Sequence, residues 1–221
     1  MKHNWHCAFI ILAGGLSSRF GTKKELSLLR DGRTALSTLL SLSSEHQCIS
    51  HIHLVYNPAH QEETLQYLQY ITKPHSHSPS GQTRQESVHI ALEKLEKYEP
   101  DFVLIHDGAR PWVSAQLIAH LCQVLPQKQA VIPAITPTET IKMINDKNEI
   151  TAHLLRPDLC VSQTPQAFVF SKILSAHRQL SPKIKDCTDD AQVWSMIHSH
   201  PVSVIPGENT NKKITFKEDI I

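Results

Sequence analysis

The chain has 221 residues, 40% hydrophobic and 6% aromatic, with 22 lysines and arginines against 21 aspartates and glutamates. This length suffices for a domain with a sizeable core, and the ordinary charge and hydrophobicity argue against disorder. The formal net charge of +1 excludes a protein held on nucleic acid by a global positive field, but it does not exclude a local cationic pocket. No apolar run approaches the roughly 18 residues of a membrane span. We therefore expect a cytoplasmic protein with neither nucleic acid nor membrane as a partner.

Short apolar runs alternate with amphipathic segments through the first two thirds of the chain. Buried strands are predicted at 8–13, 51–56, 101–106 and 129–135, and helices at 35–42, 57–71, 83–95 and 114–125. The stretch 72–81, rich in Pro, Ser and His, is predicted to be a loop. Strands that alternate with helices indicate a parallel sheet with crossover helices, and the predicted fold class is therefore layered α/β.

Residues 139–155 break this alternation. Two strand-like segments flank residues 145–148, whose sequence NDKN is typical of a hairpin turn. A lone hairpin is marginal in water, so we expect it to pack on another surface, such as a second subunit. Helices near 171–180 and 189–198 and a strand at 202–205 complete the prediction. The organisation predicted is a single domain, 1–221, with a protruding β-arm at about 138–157.

Three H-x-H pairs occur among fifteen histidines: His51/His53, His75/His77 and His198/His200. In a strand, both members of such a pair lie on one face and could supply two ligands to a metal. No Cys or acidic residue stands at ligand spacing beside them. The five cysteines form no zinc-type cluster either. We therefore interpret the pairs as scattered surface imidazoles in a His-rich chain.

A glycine-rich segment at 12–21, LAGGLSSRFG, directly follows the first predicted strand. Ligands bind doubly wound sheets at this edge, and glycines let backbone N–H groups approach them closely. Arg19, followed by Lys23 and Lys24, adds cations suited to phosphate, although a plain glycine turn with solvated cations would also explain the segment. The segment matches neither GxGxxG nor GxxxxGK[ST], which argues against a dinucleotide dehydrogenase and a P-loop phosphotransferase.

Two further segments stand at ends of predicted elements. HDGARP ends the strand at 101–106; there Asp107 is a candidate for Mg²⁺ or a hydroxyl, and Arg110 for phosphate or for orienting Asp107. GQTRQESV enters a helix, whose N-terminus could receive a polar ligand with Ser87 as a side-chain donor. A structural Asp–Arg turn and an ordinary capped helix are the alternatives.

Seven motifs in order, from position 12 to 215, resemble those of one family: LAGGLSSRFG, GQTRQESV, HDGARP, ETIK, SQTPQAF, TDDA and NKKIT. The chain resembles the 2-C-methyl-D-erythritol 4-phosphate cytidylyltransferases of the non-mevalonate isoprenoid pathway, which transfer a cytidylyl group from CTP to the phosphate of a sugar alcohol and release pyrophosphate. The resemblance implies a Rossmann-like sheet and a homodimer in which each arm completes the partner's site. It also implies Mg²⁺ held mainly by the CTP phosphates, with no protein ligand assigned.

The resemblance implies roles for residues at matching positions. The catalytic set is Arg19, Lys24, Arg156 and Lys213. The nucleotide-binding set is Ala13, Gly14, Gly15, Gly81, Ser87 and Asp107. The acceptor-binding set is Asp107, Arg110, Thr140, Arg156, Thr164, Thr188 and Lys213, of which Thr140 and Arg156 reach in from the partner's arm. Lys23 stays a rival to Lys24, because the loop lacks the family's proline, has Glu25 in place of Gln, and is about two residues shorter.

Three other functions compete with this interpretation. A sugar-nucleotide transferase of similar sheet topology would more often show an Asp-x-Asp metal pair, whereas Asp189 and Asp190 are adjacent. A ribitol-5-phosphate cytidylyltransferase has the same fold and reaction, but GQTRQESV and HDGARP favour the methylerythritol acceptor. A non-catalytic nucleotide-binding dimerisation module is the third alternative, and the joint retention of the cationic motif positions argues against it. The family commonly continues beyond position 221 into a terminal helix, a departure that bears on the packing there more than on the chemistry.

Overall fold

The computed structural model describes residues 5–15, 20, 23–181 and 187–220. The strands of the main sheet are β1 (Cys7–Ala13), β2 (His51–Tyr56), β3 (His75–Pro79), β4 (Phe102–Asp107), β5 (Ala130–Ile135), β8 (Val161–Ser162), β9 (Gln166–Val169) and β10 (Ser203–Pro206). A separate two-stranded sheet consists of β6 (Lys142–Ile144) and β7 (Ile150–His153). The α-helices are α1 (Ala35–Glu45), α2 (Gln61–Leu65), α3 (Arg84–Leu95), α4 (Ala115–Lys128), α5 (Phe170–Leu180) and α6 (Asp190–Ile197).

The main sheet is mostly parallel, with strand order β10-β5-β9-β4-β1-β2-β3, and β8 pairs with β5. The chain runs outward from β1 through β2 to β3 and then returns to place β4 on the other side of β1. The point where the strand order reverses therefore lies between β1 and β4. Connections leave this point in opposite directions, which opens a crevice at the carboxyl ends of the two strands.

Alternating side chains of β1 serve two hydrophobic cores, one on each face of the sheet. Phe9 and Ile11 pack with residues of α1 and α4, whereas Ala8 and Ile10 pack with residues of α3, α5 and α6. All four are fully buried. Because both faces of β1 are covered, its sequence is a continuous apolar run, and the predicted layered α/β fold class is confirmed.

The prediction of a loop at 72–81 is wrong. Residues 75–79 form β3, which pairs in parallel with β2 in the register Ile52↔His75. The Pro- and Ser-rich composition of β3 is not typical of a strand, and the strand was therefore not predicted. β3 lies at the edge of the sheet, where a proline such as Pro79 is tolerated because its missing N–H faces the unpaired side. The predicted helix at 57–71 is also shorter: Asn57 caps a 3-10 turn at Pro58–His60, and α2 is followed by a second 3-10 turn at Gln66–Tyr70.

Two of the histidines interpreted as surface imidazoles are buried. His53 is 0% and His51 6% exposed, because β2 has neighbours on both sides and helices against both faces. His53 is hydrogen-bonded through Nδ1 to Ser76 and through Nε2 to Ser78, and His51 also contacts the Ser76 hydroxyl. The serines of β3 thus satisfy the imidazoles, which act as polar core residues.

The predicted hairpin at 139–155 is confirmed as β6 and β7. Asn145 Oδ1 accepts hydrogen bonds from the backbone N–H groups of Lys147 and Glu149, and Asn148 has a φ of 61°, a value that asparagine tolerates well. Nearly all of the hairpin is exposed to solvent in the single chain. Of the helices in the described ranges, none is long and apolar enough to cross a membrane.

Candidate active site

A cleft of about 600 Å³ opens at the carboxyl ends of β1 and β4, where the strand order reverses. It is lined by backbone and side chains from five segments of the chain: Leu12, Gly14, Gly15, Lys24, Glu25, Asn57, Pro58, Ser80, Gly81, Gln82, Thr83, Arg84, Ser87, Asp107, Gly108, Ala109 and Lys213. Its position agrees with the expectation that these segments meet at one edge of the sheet. Its volume is suited to a nucleotide-sized ligand.

Glycines of the first loop let two connections approach each other closely. A Cβ built on Gly14 would lie 2.4 Å from Ser80 Cβ, so no larger residue fits there while Ser80 is present. Gly15 is more open, since its Cβ would lie 3.7 Å from the nearest atom, Glu25 Oε1. The predicted phosphate-binding Arg19, with most of the segment that follows Gly15, lies outside the described residues.

Ser87 closes the turn before α3. Gly81 N–H donates to Ser87 Oγ at 3.0 Å, and the Ser87 hydroxyl donates to the carbonyl of Thr83 at 2.8 Å. Thr83 also caps α3 by accepting from the N–H of Glu86. The hydroxyl hydrogen of Ser87 is therefore used within the loop. The structure does not offer it to a ligand as the sequence predicted, although Ser87 does line the cleft.

Asp107, the last residue of β4, lies among three cations. Its Oδ2 is 2.7 Å from Lys213 Nζ and 4.0 Å from Arg110 Nε, and its Oδ1 accepts from Arg84 Nε at 3.1 Å. Burial by itself raises the pKa of this carboxyl, but the attraction of Arg84, Lys213 and Arg110 outweighs it and holds the pKa well below its usual range. Asp107 is accordingly ionised, and it organises a cationic surface.

A hydrogen-bonded chain beneath the cleft fixes the end of β4. Asp107 N–H donates to Thr164 Oγ1, the Thr164 hydroxyl contacts His106 Nδ1, and His106 Nε2 donates to the carbonyl of Arg110. Burial lowers the pKa of His106 to about 4, so this imidazole is neutral. Thr164 is itself buried and does not line the cleft. The structure thus assigns Thr164 a supporting position, where the sequence predicted an acceptor contact.

Arg110 is held from the C-terminal part of the chain. Its NH1 donates to the carbonyl of Asn211 at 2.7 Å, and the Asn211 side chain donates to the carbonyl of Thr164. Asn211 is fully buried, whereas Lys213, two residues later, reaches the cleft. The NKKIT motif therefore contains both a buried residue that holds Arg110 and a lysine that faces the cleft.

Arg84 is a site residue that the sequence analysis did not single out, although it lies in the GQTRQESV motif. Its NH1 donates to Asp190 Oδ2 at 2.8 Å, while its Nε reaches Asp107. Asp190 belongs to the TDDA motif and is fully buried. A buried carboxylate is expected to have a cationic partner. Asp107 and Asp190, each in its own motif, were therefore the signal that could have identified Arg84 as a site residue.

The two candidate loop lysines have different surroundings. Lys24 lines the cleft, whereas Lys23 forms an ion pair with Glu63 and lines a smaller adjacent cavity. Glu25 is buried between the glycine loop and Gly108. This arrangement favours Lys24 as the lysine that faces a ligand.

Three predicted acceptor contacts, Thr140, Arg156 and Thr188, are not among the described residues that line the cleft in the single chain. Thr140 and Arg156 are exposed at the two ends of the arm. Thr188 is exposed and bonded to the side chain of Gln192. No group of three His, Cys, Asp or Glu side chains suited to a metal occurs in the described part of the chain.

Known proteins resemble this chain in sequence and in structure. A family model described as IspD: 2-C-methyl-D-erythritol 4-phosphate cytidylyltransferase matches residues 7–221. The curated 2-C-methyl-D-erythritol 4-phosphate cytidylyltransferase of Clostridium beijerinckii is 36% identical over 96% of this chain and 94% of the relative. The bifunctional enzyme IspD/IspF of Wolbachia pipientis wMel is 34% identical over 96% of this chain, which spans only 53% of that relative.

Solved structures agree with the sequence matches. The 4-diphosphocytidyl-2C-methyl-D-erythritol synthase of Anaerococcus prevotii superimposes with a TM-score of 0.87 at 28% identity, covering 98% of this chain and 93% of that one. The 2-C-methyl-D-erythritol 4-phosphate cytidylyltransferase of Francisella tularensis gives a TM-score of 0.81 at 26% identity, covering 97% and 96%.

Proposed function

Because the chain belongs to the 2-C-methyl-D-erythritol 4-phosphate cytidylyltransferase family, we infer that it transfers a cytidylyl group from CTP to 2-C-methyl-D-erythritol 4-phosphate. The products are 4-diphosphocytidyl-2-C-methyl-D-erythritol and pyrophosphate, within the non-mevalonate isoprenoid pathway. The observation that carries this inference is the cationic surface around Asp107, in a nucleotide-sized cleft at the point where the strand order reverses.

The chemistry needs no covalent nucleophile and no general base. An oxygen of the acceptor phosphate, already an anion at neutral pH, attacks the α-phosphorus of CTP. A bond forms between that oxygen and the α-phosphorus, and the bond to the β-phosphate oxygen breaks, with pyrophosphate taking the electron pair. Catalysis therefore consists of holding two anions in line and neutralising charge at the α-phosphorus. Lysines and arginines in a sheltered cleft are suited to both tasks.

We propose that the nucleotide lies along the glycine loop and the start of α3. Backbone groups of Ala13, Gly14, Gly15 and Gly81 would bind the base and ribose, with Ser87 shaping the pocket from behind. The close packing of Gly14 against Ser80 supports this assignment, since it leaves backbone rather than side chains facing the cleft.

The phosphates would be bound by the cations at the mouth of the cleft. We assign Lys24 to the triphosphate, together with Arg19 from the resemblance alone, and Lys213 to the acceptor. Arg110 is not among the described residues that line the cleft, and it is assigned to the acceptor from the resemblance. Asp107 keeps Lys213 and Arg110 near each other, because each cation alone would be repelled by the other. Thr164 acts through Asp107 and has no substrate contact in this proposal.

Mg²⁺ is the proposed cofactor. Mg²⁺ in phosphoryl-transfer sites is commonly held by one or two carboxylates and by substrate phosphates, and when bound it supplies charge neutralisation on the triphosphate oxygens. The acidic residues among the described cleft lining are Glu25 and Asp107, and Asp107 already accepts from Arg84 and Lys213. This donor set suits an ion held mainly by CTP, so no side chain is assigned as its ligand. Removal of Mg²⁺ with a chelator should abolish turnover, and added Mg²⁺ should restore it.

We further propose a homodimer in which the arm of each protomer completes the partner's cleft. The arm and the segment after it expose large apolar side chains to solvent: Ile141, Met143, Ile144, Ile150, Leu155 and Val161. Exposed apolar surface of this extent is typical of an interface. Thr140 and Arg156 lie on this exposed segment, so in a dimer they could reach the acceptor bound to the partner.

The experiment that tests the function compares two acceptors. Pyrophosphate release from CTP and Mg²⁺ is measured with 2-C-methyl-D-erythritol 4-phosphate and, separately, with ribitol 5-phosphate. We expect a higher kcat/KM for the methylerythritol acceptor; an equal or lower value would overturn the substrate assignment. Binding of CTP without turnover of either acceptor would instead favour a nucleotide-binding module.

A further inference from the structure

One arginine is shared by two carboxylates from distant parts of the chain. Arg84 is the first residue of α3, and it donates through Nε to Asp107 at the end of β4 and through NH1 to Asp190 at the start of α6. The side chain of Asp190 is 0% exposed and that of Arg84 is 27% exposed. The arginine thus connects the interior of the protein to the cleft.

Asp190 has no access to solvent, so its charge must be balanced by its neighbours. Burial alone raises the pKa of this carboxyl, but Arg84 and the fully buried His177 outweigh it and lower the pKa below its usual value. Asp190 Oδ2 accepts from Arg84, and Oδ1 lies 3.3 Å from His177 Nε2. Oδ1 has no hydrogen-bond partner among the described residues, so Arg84 is the hydrogen-bond partner of this buried carboxylate, and the pair holds the guanidinium in place.

Asp190 holds the end of the Arg84 guanidinium that lies away from Asp107. Arg84 NH1 is occupied twice, by Asp190 at 2.8 Å and by the side-chain oxygen of Gln85 at 2.6 Å. The hydrogen bond from Arg84 to Asp107 is made by Nε and goes to Oδ1. The other oxygen, Oδ2, accepts from Lys213. An arginine without this anchor tends to form a two-bonded pair with both oxygens of a carboxylate, which here would compete with Lys213.

We propose that Asp190 is a positioning residue for nucleotidyl transfer, which acts by holding Arg84 so that Asp107 presents one oxygen to Lys213 and to the cleft. The proposal rests on the proposed function insofar as Lys213, held by Asp107, contacts the acceptor. Asp190 itself touches no substrate. Its effect passes through Arg84 to Asp107 and from there to the orientation of the acceptor site.

The decisive variant is Asp190→Asn, with Asp189→Asn as the matched control. Both substitutions remove one negative charge at the start of α6. Asp189 caps the helix by accepting from Gln192 N–H, as asparagine also can, and its other oxygen accepts from Gln166 Nε2. None of these bonds involves Arg84, so this variant controls for a general disturbance of the helix start. We expect kcat/KM to fall roughly 10²-fold in Asp190→Asn, because misplacement of a binding group by about 1 Å has an effect of that size. In Asp189→Asn it should stay near wild type. Equal effects of the two substitutions would overturn the proposal.

A double-mutant cycle separates positioning from general destabilisation. If Asp190 acts through Asp107, adding Asp190→Asn to Asp107→Asn should change kcat/KM little further. If the two losses multiply, Asp190 acts independently of Asp107 and the proposal is wrong. If Asp190→Asn does not fold, Arg84→Lys takes its place, because lysine keeps the charge but replaces the two nitrogens that reach the two carboxylates with one. Wild-type kcat/KM in Arg84→Lys would equally overturn the proposal.

A spectroscopic readout is independent of turnover. In ¹⁵N-labelled full-length protein, the Nε–H signal of Arg84, assigned by its loss in Arg84→Lys, reports its bond to Asp107. We expect Asp190→Asn to shift this signal and to speed its exchange with water, and Asp189→Asn to leave it in place. An unchanged signal in Asp190→Asn would overturn the positioning role, whatever reaction the protein catalyses. Absence of turnover in the wild type would overturn only the proposed function.

Discussion

Lys213 Nζ lies 2.7 Å from Asp107 Oδ2, although 106 positions separate the two residues in the chain. Asp107 ends a central strand and is almost buried, with 11% of its side chain exposed, whereas Lys213 keeps 38% of its side chain exposed. Pairs with such an exposed member add little to stability. The pair therefore points to function, since Lys213 is held at the mouth of the cleft and still faces solvent on its other side.

Replacement of Lys213 should separate activity from stability. We expect Lys213→Ala to lower kcat/KM roughly 10²- to 10³-fold, the range found when one donor to developing charge is removed. The free energy of unfolding should change by less than about 1 kcal/mol, because Asp107 keeps Arg84 as a partner. The control is Lys212→Ala, which removes an exposed neighbouring cation. Steady-state kinetics measures kcat/KM, and urea unfolding measures the stability. Equal losses of kcat/KM in both variants would contradict the assignment of Lys213 to the acceptor.

The loop lysine can be identified by a matched pair of substitutions. Lys24 lines the cleft, whereas Lys23 is paired with Glu63 beside it. Lys24→Ala should therefore reduce kcat by ~10²-fold, because charge at the α-phosphorus is then less well neutralised. Lys23→Ala should reduce it less than about threefold. Single-turnover kinetics at saturating CTP measure the step directly, and the reverse order of effects would make Lys23 the catalytic lysine.

Complementation in mixed dimers tests whether the arm acts on the partner. Arg156→Ala and Lys213→Ala should each be nearly inactive alone. In a mixed dimer, the Lys213 of one protomer meets the Arg156 of the other, so one of the two clefts is intact. After random exchange of subunits we expect about one quarter of wild-type activity. No recovery, with exchange shown by mass spectrometry, would mean that Arg156 acts within its own chain or that the protein is monomeric.

The close contact between Gly14 and Ser80 predicts that substitutions at the two positions compensate each other in stability. Gly14→Ala places a Cβ 2.4 Å from Ser80 Cβ, and overpacking of this kind costs about 1–3 kcal/mol of unfolding free energy. Ser80→Gly in the same chain should recover most of that loss. Gly15→Ala is the control for stability, since its Cβ meets nothing closer than 3.7 Å. Thermal unfolding of these three variants and of Ser80→Gly alone measures the coupling, and additive effects would refute the contact.

The free energy of unfolding should fall as the pH is lowered below 6.5. Burial lowers the pKa of His53 to about 3 and that of His106 to about 4, against 6.5 for an unperturbed histidine. Below pH 6.5 the unfolded chain binds protons that the folded protein does not bind. The stability contributed by the neutral imidazoles is therefore complete above pH 6.5 and is lost on acidification towards the folded pKa values. The expected slope is about 1 kcal/mol per pH unit for each histidine.

Urea unfolding between pH 7 and about pH 5 measures this slope. The stabilised carboxylates Asp107 and Asp190 do not interfere there, because their contribution is lost only near and below the unperturbed value of 3.8. His53→Gln keeps hydrogen-bonding groups but cannot titrate, so it should flatten the slope. His120→Gln, on the exposed side of α4, should leave it unchanged. A slope insensitive to His53 would contradict the burial argument.

The local sequence pattern predicted most helices and strands, but it missed two kinds of strand. The apolar runs of β1 and β4 and the periodicity of α3 and α4 predicted these elements within a few residues. The edge strand β3 was missed, because its pairing with β2 rather than its own composition makes it a strand. The antiparallel strand β9 was missed as well, although its Gln166–Val169 segment lies between β4 and β5. An inserted strand of this kind depends on partners distant in the chain.

The sequence alone determined the fold class, the family and the acidic and cationic motif positions, because these depend on residue type, order and local periodicity. The net charge of +1 by itself does not show at which sites the charged side chains gather. Only the tertiary structure decided that Lys24 rather than Lys23 faces the cleft, that Thr164 supports Asp107 from beneath, and that Asp190 anchors Arg84. Those relations join residues up to 106 positions apart, and their energies come from burial and short-range contacts, which exist only after the sheet has brought the strand ends together.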